Sequence, residues 1–224
     1  MVRDPSSYNR AMRHVILGLH HVTATVGDAQ PDLDFCIDLL GLRLVKKTVN
    51  FDDHHVYHFY YGDERGTPGT IWTTFPYKGR GVHVGAKGAE QLVATSFSVP
   101  ESSLGWWHDR LNARGAVQGT RATRFGDEFL SLTDPSGLPF EVIATGQDPR
   151  TPWTGRGFTA TTAIRGLHSV TMLVRDAAPS LDLLIGVLGF QVVAQDGPRT
   201  RVAWPATRRA ISSTSSKTDT RRTP

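Results

Sequence analysis

The chain is short of several things. It has one cysteine in 224 residues, Cys36, so an intramolecular disulfide is impossible and a disulfide scaffold is excluded. That usage suits a reducing cytoplasm, where the protein is expected. No stretch approaches the roughly 20 apolar residues that span a bilayer, so no membrane partner is expected. Residues 1–16 carry several charges and no apolar segment, which speaks against a secretory leader. A charge excess is also lacking over most of the chain. The formal net charge is +4, but residues 205–224 hold four Arg, one Lys and one Asp, and the rest carries 20 basic and 20 acidic residues. The basic character belongs to the tail, and no nucleic-acid partner follows from it. With 39% hydrophobic and 21% charged residues, the composition is that of a folded globular protein.

What is present is a repeat. Residues 18–45 and 166–193 align without a gap, with 15 of 28 positions identical. The shared frame is G-L-H-x-V-T-x-x-V-x-D-A-x-P-x-L-D-x-x-I-x-x-L-G-x-x-x-V. Each copy reads as strand, helix, strand. Residues 19–26 alternate and are rich in Val and Thr, as in a half-buried strand. Asp28 is a candidate N-cap, and Pro31 sits in the first turn, where its missing N–H costs least. Leu33, Ile37 and Leu40 make an apolar helical face, with Phe35 and Cys36 beside it. Gly41 suits the helix C-terminus. Strands are then expected at 42–51, 56–61 and 70–75, which completes a βαβββ module.

A weaker copy follows, with a strand at 92–99, a helix at 103–114, and strands at 117–125, 128–133 and 139–144. The fold class expected is α+β, as tandem βαβββ modules with curled mixed sheets, the third module incomplete and a fourth absent. The division expected is an N-terminal extension (1–16), a first two-module domain (17–146), a linker (147–164), a partial second domain (165–204) and a tail (205–224). The tail has one large apolar residue in twenty, Ile211. Disorder is expected there, with module three short of its last strand.

Particular residues carry a resemblance. Gly18-Leu19-His20-His21-Val22-Thr23-Ala24 opens module one. Lys46-Lys47-Thr48-Val49-Asn50-Phe51-Asp52-Asp53, Tyr57-His58 and Gly66-x-Pro68-Gly69-Thr70 follow, and Thr133-Asp134-Pro135-x-Gly137-x-x-Phe140-Glu141 closes module two. Over about residues 16–204 the chain resembles the vicinal oxygen chelate superfamily, and more narrowly its ring-cleaving, hydroquinone dioxygenase-like members. The resemblance implies paired βαβββ modules curled around a metal-centred cleft. It also implies Fe(II), or sometimes Mn(II), held by two His and one Glu, with a small aromatic substrate and O2. His21 matches the metal ligand from module one. His20 and Thr23 match catalytic positions beside it. The other His and the Glu belong to a fourth module in that family. The functional expectation is therefore an extradiol-type dioxygenase lineage, impaired by loss of that module. The alternatives are a non-catalytic truncated product, or a metal-independent small-molecule binding protein of the same superfamily.

The repeat bears on the site independently. The position of His21 is Ala94 in module two and Ser169 in module three, neither a good ligand, and His168 aligns with His20. One imidazole does not hold Fe(II); a facial triad needs three groups. Asp52, Asp53, His54 and His55 read as a solvated turn, with His58 a candidate for the cleft. Glu141 reads as a structural echo of a ligand position, and His168 as structural. Cys36, Phe35, Trp106, Trp107 and Leu111 read as helix core. A glyoxalase would want a carboxylate in strand 70–75, and there is none. An exposed edge and apolar face in module three make self-association the expected oligomeric behaviour.

Overall fold

In a computed structural model, the structure describes residues 16, 18–78, 85–86, 88–115, 121–204 and 210–215. Module one runs β1 (His21–Val26), α1 (Ala29–Leu33, continued as a π-helical turn over Asp34–Leu39), β2 (Arg43–Val49), β3 (Tyr57–Gly62) and β4 (Ile71–Pro76). Its sheet has the order β1-β4-β3-β2, with β1 and β4 parallel and the other pairs antiparallel. Module two repeats this with β5 (Gln91–Val99), α2 (Leu104–Ala113, entered through a 3-10 turn at Glu101–Ser103), β6 (Ala122–Arg124), β7 (Asp127–Thr133) and β8 (Pro139–Ala144). Module three comprises β9 (Gly166–Val174), α3 (Ala177–Leu181, continued as a π-helical turn over Asp182–Val187), β10 (Gln191–Asp196), β11 (Arg199–Ala203) and β12 (Ala210–Ser215).

The last strand corrects two expectations. Ala210–Ser215 is a strand, not part of a disordered tail, and module three is not short of it. β12 lies between β9 and β11, parallel to β9 with Ala210 opposite Ser169 and antiparallel to β11. That is the place and direction of β4 in module one, where Ile71 stands opposite His21. Low hydrophobicity did not prevent the pairing, because a slot between two strands satisfies the backbone of almost any sequence. Residues 205–209 and 216–224 lie outside the described residues. Of the expected strand over 117–125, Ala122–Arg124 is strand, and residues 116–120 lie outside the described residues.

The two copies agree in detail. In each, the helix widens into a π turn at the same repeat position: Leu40 N–H donates to Phe35 O at 3.0 Å, and Leu188 N–H to Leu183 O at 3.0 Å. Both helices start at the expected aspartate. Asp176 caps with its side chain, accepting from the Ala178 N–H at 3.0 Å, whereas Asp28 makes no side-chain cap and pairs with Lys78 instead. Gly41 ends the first helix at φ +72°, and a Cβ there would meet the Phe158 ring at 2.4 Å.

Packing and pairing join different modules. One apolar core unites Phe35, Leu40, Phe59 and Trp72 of module one with Phe97, Trp107, Leu130 and Phe140 of module two. Phe140 is its hub, with ring centroids 4.9 Å from Trp72, 5.3 Å from Phe35 and 6.1 Å from Phe97. Segment 147–164 packs on this core through Phe158, Ala163 and Ile164. A smaller cluster of Leu184, Phe190, Val202 and Trp204 sits in module three. The hydrogen-bonded sheet, in contrast, runs from module three into module two: β9 pairs antiparallel with β5, giving the eight-stranded order β10-β11-β12-β9-β5-β8-β7-β6.

Candidate active-site face of module one

Strand alternation divides β1 cleanly. Val22 and Val26 are buried on the helix side, while His21, Thr23 and Thr25 are exposed on the other face. The pairing registers bring Thr73 and Phe75 of β4, His58 and Tyr60 of β3, and Thr48 and Lys46 of β2 onto that same face. Thr73 Oγ1–H donates to Thr23 Oγ1 at 2.8 Å. The His58 ring stacks on Phe75 at 3.9 Å and lies 4.1 Å from Tyr60. Lys46 Nζ stands 5.5 Å over the Tyr60 ring. His58 Nε2 is buried and, among the described residues, has no hydrogen-bond partner. The face therefore offers an aromatic wall, two hydroxyls, a cation and two imidazoles.

Burial followed by the His20 ring lowers the pKa of His21; burial followed by Lys46 and then His21 lowers that of His58. Both rings are held towards the neutral form, which leaves a nitrogen lone pair free to accept a proton or bind a metal. His20 and His21 do not point to opposite faces as a continuous strand would require. β1 begins only at His21, so the two rings meet edge to face with Nδ1 atoms 3.0 Å apart. The main chain of His20 is fixed from outside, accepting the Gly69 N–H at 2.7 Å.

The equivalent face of modules two and three is closed. Thr171, at the repeat position of exposed Thr23, is 2% exposed, and Ser169, at that of His21, is 3%. Glu141 accepts from Ser96 Oγ at 2.6 Å and pairs with Arg124, while Arg201 of β11 reaches Asp127 of β7. Charges that could face a ligand are thus spent on each other. His168 is enclosed beside Ser169, with Nδ1 2.9 Å from its hydroxyl. Burial, then Arg201, hold its pKa down to about 4.

The Asp52–His55 run is a turn. The Asp52 N–H donates to Asn50 Oδ1 at 3.1 Å and the His55 N–H to Asp53 Oδ1 at 3.0 Å, with the His54 and His55 rings exposed. Cys36 is fully buried on α1. Among the described residues, no group of three or more His, Cys, Asp or Glu side chains could hold a metal ion. Sequence reasoning missed Lys46, Tyr60, Thr73 and Phe75. Their period-two spacing was visible, but strand registers were needed to align them with His21. It also missed Asp32, buried on the helix side, which accepts from Tyr61 Oη at 2.7 Å and Thr74 Oγ1 at 2.6 Å.

No protein-family profile matches the chain. Among curated proteins, it is 41% identical over 186 residues to the Bacillus subtilis (strain 168) protein named "Putative ring-cleaving dioxygenase MhqE", covering 83% of this chain and 60% of that one. It is also 41% identical over 157 residues to the chlorohydroquinone/hydroquinone 1,2-dioxygenase of Sphingobium indicum, covering 69% of this chain and 49% of that one. The chain thus spans about half to three fifths of the length of these relatives. Among solved structures, a Bacillus subtilis "putative dioxygenase" superposes with a TM-score of 0.83 at 37% identity, over 89% of this chain and 64% of that one. Glyoxalase I from Zea mays shares the fold, with a TM-score of 0.66 at 15% identity over 88% of this chain and 66% of that one. With the βαβββ modules, the repeat and these likenesses in agreement, the chain belongs to the vicinal oxygen chelate (glyoxalase/bleomycin resistance/extradiol dioxygenase) superfamily, in its ring-cleaving, hydroquinone dioxygenase-like family.

Proposed function

We propose that the open face of module one is the chain's share of a ring-cleaving dioxygenase centre for hydroquinone- or catechol-like aromatics. The observation that supports this best is the contrast between the two sheets. The face bearing His21 exposes His21, Thr23 and Lys46 and holds the Nε2 of His58, unpartnered among the described residues, while its repeat counterpart is closed by ion pairs. A planar phenol can lie against His58, Tyr60 and Phe75, with Lys46 drawing a phenolate oxygen. The Thr23–Thr73 pair can hydrogen-bond a ring hydroxyl. His20, next to His21, can take that hydroxyl's proton.

His21 is the residue assigned to a divalent metal, Fe(II) or alternatively Mn(II), which would bring phenolate and O2 together when bound. The described residues do not complete such a site. They supply imidazoles and no carboxylate on this face. That shortage favours a second reading, in which the face binds a small aromatic without metal.

Anaerobic equilibrium dialysis with Fe(II), paired with O2 uptake on hydroquinone, separates the two. The first reading expects metal-dependent uptake once a fourth module supplies the remaining His and Glu, lost in His21→Ala. Hydroquinone binding that is equal with and without metal, and unchanged in His21→Ala, would favour the second. Metal-dependent turnover that survives His21→Ala would overturn the assignment of His21.

A further inference from the structure

Four strands border the two sheets: β1 and β2 in the first, β6 and β10 in the second. A free strand edge templates pairing with another chain, and proteins blunt such edges with charge, bulges, proline or brevity. Three of the four are blunted. β2 carries Arg43, Lys46 and Lys47 and a bulge between Leu44 and Lys46. β10 ends in Asp196 and bulges between Val192 and Ala194. β6 is three residues long and carries Arg124. β1 reads His-Val-Thr-Ala-Thr-Val: six residues with no Lys, Arg, Asp, Glu or Pro, and no register shift against β4. Among the described residues, no strand pairs with its outer side.

Modules two and three show how two such units join. Their opening strands β5 and β9 pair antiparallel, with Ala94 opposite Thr171 and Ser96 opposite Ser169. In the repeat frame, Ala94 and Ser169 hold the position of His21, and Ser96 and Thr171 that of Thr23. The register therefore reads the same from either strand, position 21 facing position 23 both times. Such a register is self-complementary. Carried to β1, it sets two identical strands about a two-fold axis through Val22, as an isologous interface requires.

We propose that β1 is an assembly edge whose occupant is β1 of a second copy of this chain, with His21 of each copy opposite Thr23 of the other. The pair converts two four-stranded sheets into one eight-stranded sheet built like that of modules two and three. It also merges the two open faces into a single cleft floored by His21 and Thr23 from both copies. The fold alone carries this inference, and it stands whether or not the face cleaves aromatic rings.

Disulfide trapping and sedimentation test it together. In a Cys36→Ala background, Val22→Cys places the two sulfur-bearing residues directly opposite, within about 4.5–5.5 Å at Cα. Oxidation should then trap most of the protein as a covalent dimer. Ala24→Cys, four residues out of register with its own copy and about 13 Å away, should not cross-link. With Val22 untouched, Thr23→Arg should weaken the dimer at least ten-fold in Kd by sedimentation while the thermal unfolding of the subunit is retained. A wild-type chain that sediments as a monomer at every loading concentration would overturn the proposal. So would a dimer that Thr23→Arg leaves intact, such as one formed through the exposed Leu183, Val187 and Val193 of module three.

Discussion

His168 and His21 are neighbours in the repeat frame and opposites in environment. His21 is exposed on an open face, whereas His168 is enclosed with Arg201, Asp127, Asp148 and Arg150 around it. The native pKa of His168 is held down to about 4, against roughly 6.5 in an unfolded chain. Between those values the unfolded state binds a proton that the native state does not, so stability falls as pH is lowered through that window. Urea unfolding at pH 7.5 and pH 5 should therefore show a loss of about 1–2 kcal/mol at the lower pH from this residue. A His168→Gln variant should lack that component. Equal pH dependence in both proteins would show that His168 does not titrate abnormally. The same motif thus places one histidine among charged side chains in module three and leaves its counterpart His20 exposed in module one.

At the scale of elements, the helix-to-strand joint of module one depends on Gly41. Its φ of +72° lies in the left-handed region, and the Phe158 ring occupies the space a Cβ would fill. The equivalent Gly189 has φ +75° and nothing within 4 Å of its would-be Cβ. Gly41→Ala therefore meets backbone strain and a clash, while Gly189→Ala meets strain alone. Denaturant unfolding should show a cost of about 1 kcal/mol for Gly189→Ala and about 2–4 kcal/mol for Gly41→Ala. Equal costs would mean that Phe158 moves aside freely.

For the whole molecule, one guanidinium ties modules one and three together, beside the shared core and the β5–β9 pairing. Arg150 donates to the carbonyls of Gly69 in module one and Leu167 in module three, and pairs with Asp148, which also accepts from Ser98 of β5. The Leu167 N–H returns to Gly69 O at 2.9 Å. Arg150 and Asp148 are 13% and 9% exposed, and Arg150 holds the Asp148 pKa down to about 2 despite its burial. Arg150→Leu leaves the buried Asp148 carboxylate without its cation and takes a donor from the Gly69 and Leu167 carbonyls, so it should cost about 3–5 kcal/mol. Amide exchange should accelerate first at Leu167 and Gly69. Uniform acceleration across the core would instead mean that the modules do not separate at this joint.

The local order of elements was legible because it is written in short-range chemistry. Alternating Val and Thr at 19–26, Pro31 in a first turn and Gly41 after the helix each act within a few residues, and the repeat doubled the signal. His21 stood out for the same reason: Ala94 and Ser169 mark its position by contrast. Tertiary structure alone decided what depends on partners distant in the chain. Ala210–Ser215 became a strand through the slot between β9 and β11, despite a composition that promised none. Tyr60, Thr73 and Phe75 joined His21 through strand register. The fates of the two sheet faces turned on whether Arg124 and Arg201 reached Glu141 and Asp127, and no pattern within a single strand encodes a salt bridge across a curled sheet.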